Sequence, residues 1–220
     1  MVPCLRALCA FLIIASSFWP WSAQAEDSWH ANLGVTSDYV WRGLSLTDGS
    51  AAVSGGLEFV SANNFYAGGW ISNTKQGTKG VNSSELDLYL GISGVNKGTG
   101  YDLGLIHYRY PQSEDLNFEE YYITLMIEDF TIKMSDSYEE GNYLEGSIRT
   151  KLKINTKRDA ALSFHLGRYI RDEGENYVDA RVSLHVDELS LSLSDTDLGT
   201  SEPTNKTMKF YVSWDRVFDF

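Results

Sequence analysis

At 220 residues, with 18 basic and 30 acidic side chains and a net charge of −12, the chain has the length of one domain. Its sign is wrong for a nucleic-acid partner, which needs clustered Lys and Arg. Both cysteines, Cys4 and Cys9, fall in the first ten residues, and no stretch approaches the roughly 20 apolar residues of a membrane-crossing helix.

Residues 1–25 read as a secretory signal peptide. Arg6 opens it, an apolar run follows from Ala7 to Ala15, and the small-residue ending Ala23-Gln24-Ala25 places cleavage before Glu26. Only eight residues precede Cys9, too few for the apolar core of a lipoprotein leader. What is exported, residues 26–220, then carries no thiol and no disulfide, as is common in the bacterial envelope, and forms a single domain.

From there on, apolar and polar side chains alternate with period two and no helical periodicity appears. Twelve such segments run near 28–38, 50–61, 65–73, 84–94, 100–110, 118–127, 130–138, 143–154, 160–170, 176–186, 189–196 and 206–220. In the fourth, Leu86, Leu88, Leu90 and Ile92 oppose Glu85, Asp87, Tyr89 and Gly91. In the tenth, Val178, Ala180, Val182, Leu184 and Val186 oppose Asp179, Arg181, Ser183 and His185. The segment 65–73 is weakened by Gly68 and Gly69, and in 100–110 His107 and Arg109 interrupt the apolar phase.

Links after even-numbered segments are short, such as Ala62-Asn63-Asn64, Glu128-Asp129 and Asp187-Glu188, and links after odd-numbered ones are longer, including 39–49, 74–83 and 197–205. This alternation predicts an all-β fold: a closed antiparallel transmembrane β-barrel of about 12 strands, with short periplasmic turns and longer extracellular loops. Trp29, Phe59, Phe65, Tyr101, Phe130, Trp214, Phe218 and Phe220 sort toward the turn end. Tyr39, Trp41, Trp70, Tyr108, Tyr110, Phe118, Tyr121, Tyr143 and Tyr177 sort toward the loop end, so two lipid-facing aromatic girdles are expected. The expected partners are outer-membrane lipid and lipopolysaccharide, together with the barrel-assembly machinery, which recognises such an amphipathic strand closed by a terminal aromatic, here Phe220. A soluble β-sandwich shares the period and the turn spacing, but its strand edges would need protection that the sequence does not supply.

The segments Ser37-Asp38-Tyr39-Val40-Trp41-Arg42-Gly43-Leu44-Ser45, Gly55-Gly56-Leu57-Glu58-Phe59, Phe65 through Asn73, Glu85-Leu86-Asp87-Leu88-Tyr89 and Tyr101 through Pro111 resemble the TorF family of porin-like proteins. The resemblance covers mainly residues 30–111. Trp41 and Leu46 stand where that family commonly has Phe and Gln. It implies an outer-membrane location and a pore, and no catalytic residue to carry over.

With the apolar phase outward, the inner face is expected to be lined by Glu58, Asp87, Asp102, Lys133, Arg149, Lys151 and Arg181 among others. Glu58 and Asp102 would stand on one wall and Lys133, Arg149 and Lys151 on the other, a transverse field of the kind that selects solutes. The competing reading is that these groups pair with one another and plug the barrel. His165 and His185 lie near Ser163 and Ser183, but the hairpin register, with partners summing to about 346, separates the two histidines by about 13 Å at 3.3 Å per residue. With no acid to orient either, no catalytic residues are assigned. The stretch from Asp38 through Arg42 to Asp48 begins the first long loop; it can fold inward or bind a ligand, and an ordinary loop tip there would be solvated. Acidic pairs at Glu114-Asp115, Glu139-Glu140 and Asp172-Glu173 lack calcium-loop spacing. No phosphate loop or metal motif is present, so neither a metal site nor a cofactor is expected. The expected function is passive diffusion of small solutes through a porin-like channel, the alternative being a non-conducting structural or adhesive barrel.

Overall fold

The computed structural model describes residues 26–76, 81–153, 158–198 and 208–220; the leader read over residues 1–25 lies outside the described residues. Each alternating segment becomes a strand. The first is β1 (Ser28–Thr36), followed by a short pair, β2 (Val40–Trp41) and β3 (Leu44–Ser45). Next come β4 (Ala52–Val60), β5 (Phe65–Gln76), β6 (Val81–Asn96), β7 (Thr99–Arg109), β8 (Phe118–Ile127) and β9 (Phe130–Ser137). The last five are β10 (Gly141–Leu152), β11 (Ala160–Arg171), β12 (Tyr177–Val186), β13 (Leu189–Thr196) and β14 (Lys209–Asp219). All but β2 and β3 form one closed antiparallel barrel in which every strand pairs with its neighbours in sequence and β14 returns to β1. Closure gives each strand two partners and leaves no edge. The only helical element among the described residues is a single turn, Glu114–Leu116.

The alternation sorts side chains as the sequence predicts. Leu57, Leu90, Leu166 and Phe210 point outward and are 50–65% exposed, whereas the inward-facing Glu85, Asp102, Glu120, Asp179 and Ser183 are at most 2% exposed. The protein is therefore inverted relative to a soluble domain, hydrophilic within and apolar without. His107 and Arg109 break the apolar phase of β7 because they face outward; His107 Nδ1 lies 3.2 Å from Glu119 on β8. Turns fall at one end, and the link expected to hold five residues after the fourth strand is the two-residue Lys97-Gly98 turn. Both residues there have positive φ, 50° and 87°, the backbone that matches strand twist in a tight hairpin.

The expected pair of girdles is half right. At the turn end Trp29, Phe65, Phe130 and Phe218 are exposed on the outer face, and Trp29 packs on Phe59 at 5.1 Å. Of the aromatics expected at the loop end, Tyr121 faces out, 60% exposed. Tyr39, Trp70, Tyr108, Tyr110, Phe118, Tyr143 and Tyr177 are all buried inside the barrel. The cause is strand parity: Tyr108 shares its phase with Asp102, Tyr143 with Glu145 and Tyr177 with Asp179, so these rings belong to the inner face.

Inner tyrosines lie across glycines of adjacent strands. Tyr89 covers Gly68, Tyr66 covers Gly91 and Tyr122 covers Gly104, which accounts for glycines in mid-strand, where they otherwise weaken pairing. A methyl on Gly91 would stand 2.5 Å from the Leu103 carbonyl oxygen and closer still to the Tyr66 hydroxyl. Gly91→Ala is therefore expected to cost about 1–3 kcal/mol through overpacking, read as a lowered urea midpoint of the refolded barrel.

Candidate functional site

The loop between β1 and β4 does not stay at the rim. It forms the β2–β3 hairpin, with Val40 opposite Ser45 and Trp41 opposite Leu44. Arg42 and Gly43 occupy the turn at φ 45° and 78°. Two successive positive φ values at a two-residue tip define a type I′ turn, in which glycine is favoured. Gly43 has a second reason to be glycine: a Cβ there would sit 2.8 Å from the Asp179 Cβ and nearer still to the Thr196 methyl. The hairpin thus crosses the interior until its backbone touches β12 and β13.

Asp38 braces the base of the loop, accepting hydrogen bonds from the hydroxyls of Ser45 at 2.5 Å and Thr47 at 3.0 Å. The Thr47 hydroxyl in turn accepts from the Tyr39 backbone N–H at 2.9 Å. Tyr39, fully buried, donates to Glu85 at 2.6 Å, and the other oxygen of that carboxylate accepts from Tyr110 at 2.6 Å. The hairpin is anchored to β6 through a residue 46 positions away.

Arg42 secures the tip. Its guanidinium donates to Glu120 on β8 and lies 4.3 Å from the Trp41 ring centroid, 4.2 Å from Tyr143 and 4.7 Å from Tyr169. Burial works against the charge, but Glu120 and the surrounding tyrosines outweigh it and hold the proton on Arg42 more firmly than in water. Trp41 packs edge-on against Tyr108 and Tyr169 at 6.2 and 6.1 Å, and Tyr108 stacks on Phe118 at 4.4 Å. Together with the hairpin, these rings pack inside the loop-side part of the barrel.

Toward the turn end the inner face carries most of the remaining charge. Glu58 on β4 and Asp102 on β7 face inward in the lower half, and Asp102 accepts from the Tyr66 hydroxyl at 2.6 Å. Arg149 and Lys151 follow the inward phase of β10, which stands six places from β4 around the ring. Arg181 lies on the inward face of β12, level with His165. Asp87 sits higher, opposite Tyr108. Lys133 belongs to the loop-side group: its Nζ lies 4.0 Å from Glu120 and 4.5 Å from the Tyr122 ring centroid.

The histidines occupy the expected register, His165 opposite Arg181 and His185 opposite Ala161, but the expectation that no acid orients either one is wrong for His165. Its Nε2 is 3.0 Å from Asp179, its Nδ1 is 3.3 Å from Glu145, and the Tyr143 hydroxyl is 3.1 Å away. His185 Nε2 meets the Ser163 hydroxyl at 2.9 Å. Among the described residues no carboxylate joins that pair, so the arrangement lacks the third member of a hydrolytic triad. No group of three His, Cys, Asp or Glu among the described residues is placed to hold a metal ion.

An apolar exterior, a hydrophilic interior and strands closed without an edge define this class: an antiparallel β-barrel of the outer-membrane type. The chain belongs to the family described as "Bacterial protein of unknown function (Gcw_chp)", which matches residues 22–217. No curated protein matches it. Among solved structures it is similar to the KdgM porin, with 10% identity and a TM-score of 0.54 over 87% of this chain and 99% of that one. A chain from a study of the in-meso crystallization of membrane proteins gives 10% identity and a TM-score of 0.53 over 88% of this chain and 84% of that one. LpxR from Salmonella typhimurium gives 10% identity and a TM-score of 0.48 over 86% and 99%. At such identities the likeness is one of fold.

Proposed function

We propose that the protein is an outer-membrane channel for small solutes whose bore is narrowed by its own first loop. The observation that carries this reading is the inversion of the two faces. Lipid accepts the leucines, valines and isoleucines of the exterior, and only water or a polar solute suits an interior of Glu58, Asp87, Asp102, Lys133, Arg149, Lys151 and Arg181. The resemblance of residues 30–111 to TorF porins supports the same reading. On the outside, Arg109 and the His107–Glu119 pair lie toward the loop end of β7 and β8, and such outward charges support contact there with lipopolysaccharide headgroups.

A non-conducting barrel is the second reading, favoured by the Arg42–Glu120 pair and the rings packed about it. Planar-bilayer recording separates the two. The wild-type barrel is expected to show small conductance steps, and a variant with residues 40–45 replaced by two glycines, steps at least about twofold larger, since an unobstructed lumen passes ions in proportion to its open section. A silent bilayer for both proteins, each shown to be folded by heat-modifiable gel migration, assigns the barrel to the structural class.

A further inference from the structure

On the β10–β13 wall the inward side chains form rungs. One rung runs Arg149, Ser163, Ser183, Ser192, each opposite the next. The rung toward the turns runs Lys151, Ala161, His185, Ser190, and the rung toward the loops runs Ser147, His165, Arg181, Ser194. Two contacts tie the centre together: His185 Nε2 to Ser163 Oγ at 2.9 Å and Ser183 Oγ to Ser192 Oγ at 2.8 Å. Ser183, Ser192 and His185 are buried, whereas Ser163, Arg149 and Arg181 face inward and are only half-buried. His185 lies within the fields of both Arg149 and Arg181.

The carboxylates of this wall, Glu145 and Asp179, stand on the next rung toward the loops. They are engaged there by His165 and Tyr143, at 3.0–3.3 Å and 2.7 Å. From the Arg181 rung down to the turns, no strand from β10 to β13 presents an inward carboxylate; every inward charge is basic and most of its neighbours are hydroxyls. Across the bore, Glu58 and Asp102 carry the opposite sign. A free cation is drawn to that far side, and an anion to this one.

Resting on the channel reading above, we infer that this wall is an oxyanion site, centred on Ser163 and flanked by Arg149 and Arg181, for small solutes bearing a carboxylate, phosphate or sulfate group. A guanidinium offers paired N–H donors that match two oxygens of one anion, and the serine hydroxyls and His185 add further donors, while the carboxylates whose field reaches Arg181, Glu145 and Asp179, stand one rung away. A halide would use the charge but not the fork, so an oxyanion is preferred to chloride.

Inorganic phosphate and sulfate are the probes. Calorimetric titration of the detergent-folded full barrel should show binding of both, weakened about tenfold or more, equivalent to about 1.4 kcal/mol, in the double variant Arg149→Gln/Arg181→Gln. The control Lys97→Gln, in a turn, should bind as wild type. Ser163→Ala, which removes one donor and no charge, should weaken binding in the same direction, and it decides the matter if the double variant does not fold. In bilayers, millimolar phosphate should reduce the potassium chloride current of the wild type and not of the double variant. Equal phosphate binding by wild type and variants, or an adventitious ion response shared with Lys97→Gln, overturns the site. Binding that depends on Arg149 and Arg181 in a protein that never conducts keeps the site and removes the channel.

Discussion

Arg42→Ala is expected to lower the stability of the folded barrel by about 3–5 kcal/mol, the usual cost of stripping one partner from a buried ion pair. Glu120 stays behind, 1% exposed, with Lys133 still 4.0 Å away, which sets the loss toward the lower end of that range. Three ring contacts go with it. The double variant Arg42→Ala/Glu120→Gln removes the stranded charge as well and should regain much of the loss, because the penalty lies in the unpaired carboxylate more than in the missing attraction. Urea unfolding of refolded protein measures all four corners of the cycle. A double variant as unstable as Arg42→Ala would show that packing of the hairpin, and not the charge pair, holds the tip. In the single variant the hairpin should also be released, seen as faster protease cleavage within residues 40–45 and larger bilayer steps.

The second large effect concerns the exterior. Leu90 lies in the middle of β6 and is 57% exposed on the apolar face. Leu90→Arg places a charge near the centre of the hydrocarbon and should cost about 2–4 kcal/mol in lipid vesicles, while Ile127→Arg, at the turn end of β8, should cost about 0–1 kcal/mol. The graded loss is what distinguishes lipid from water around the barrel. In a protein surrounded by solvent the two substitutions would be about equally mild, within roughly 0.5 kcal/mol, and such a result would remove the membrane reading altogether.

The fold was legible because in a barrel one rule acts on every strand. Inner and outer positions alternate, so Leu86, Leu88 and Leu90 against Glu85, Asp87 and Tyr89 already declare the two faces, and short links such as Asp187-Glu188 fix neighbours and register. The aromatics were harder. Height along a strand separates the two ends, but parity separates inside from outside, and height alone puts Tyr108, Tyr143 and Tyr177 at the loop end without choosing their face. A tyrosine in phase with aspartates was the available signal.

The path of the first loop lay further beyond reach. Its anchors, Glu85 and Glu120, are 46 and 78 residues from the side chains they hold, and no local pattern announces such a meeting. The Arg42-Gly43 pair did carry a tight-turn signal, and an arginine at a turn can serve solvent as well as a buried carboxylate. The acids around His165 were missed for a related reason. Glu145 and Asp179 lie on flanking strands one rung away, whereas the residues directly opposite His165 are Ser147 and Arg181.

The hairpin has a bearing on biogenesis. Its tip rests on β8, β11 and β12, staves that are made long after it, so it has nowhere to settle while the cylinder is partly built. Only once β12 has joined the sheet are all these supports in position. Seating of Arg42 therefore marks a barrel built through its far wall, and a shorter one would betray itself by a loose, protease-sensitive first loop.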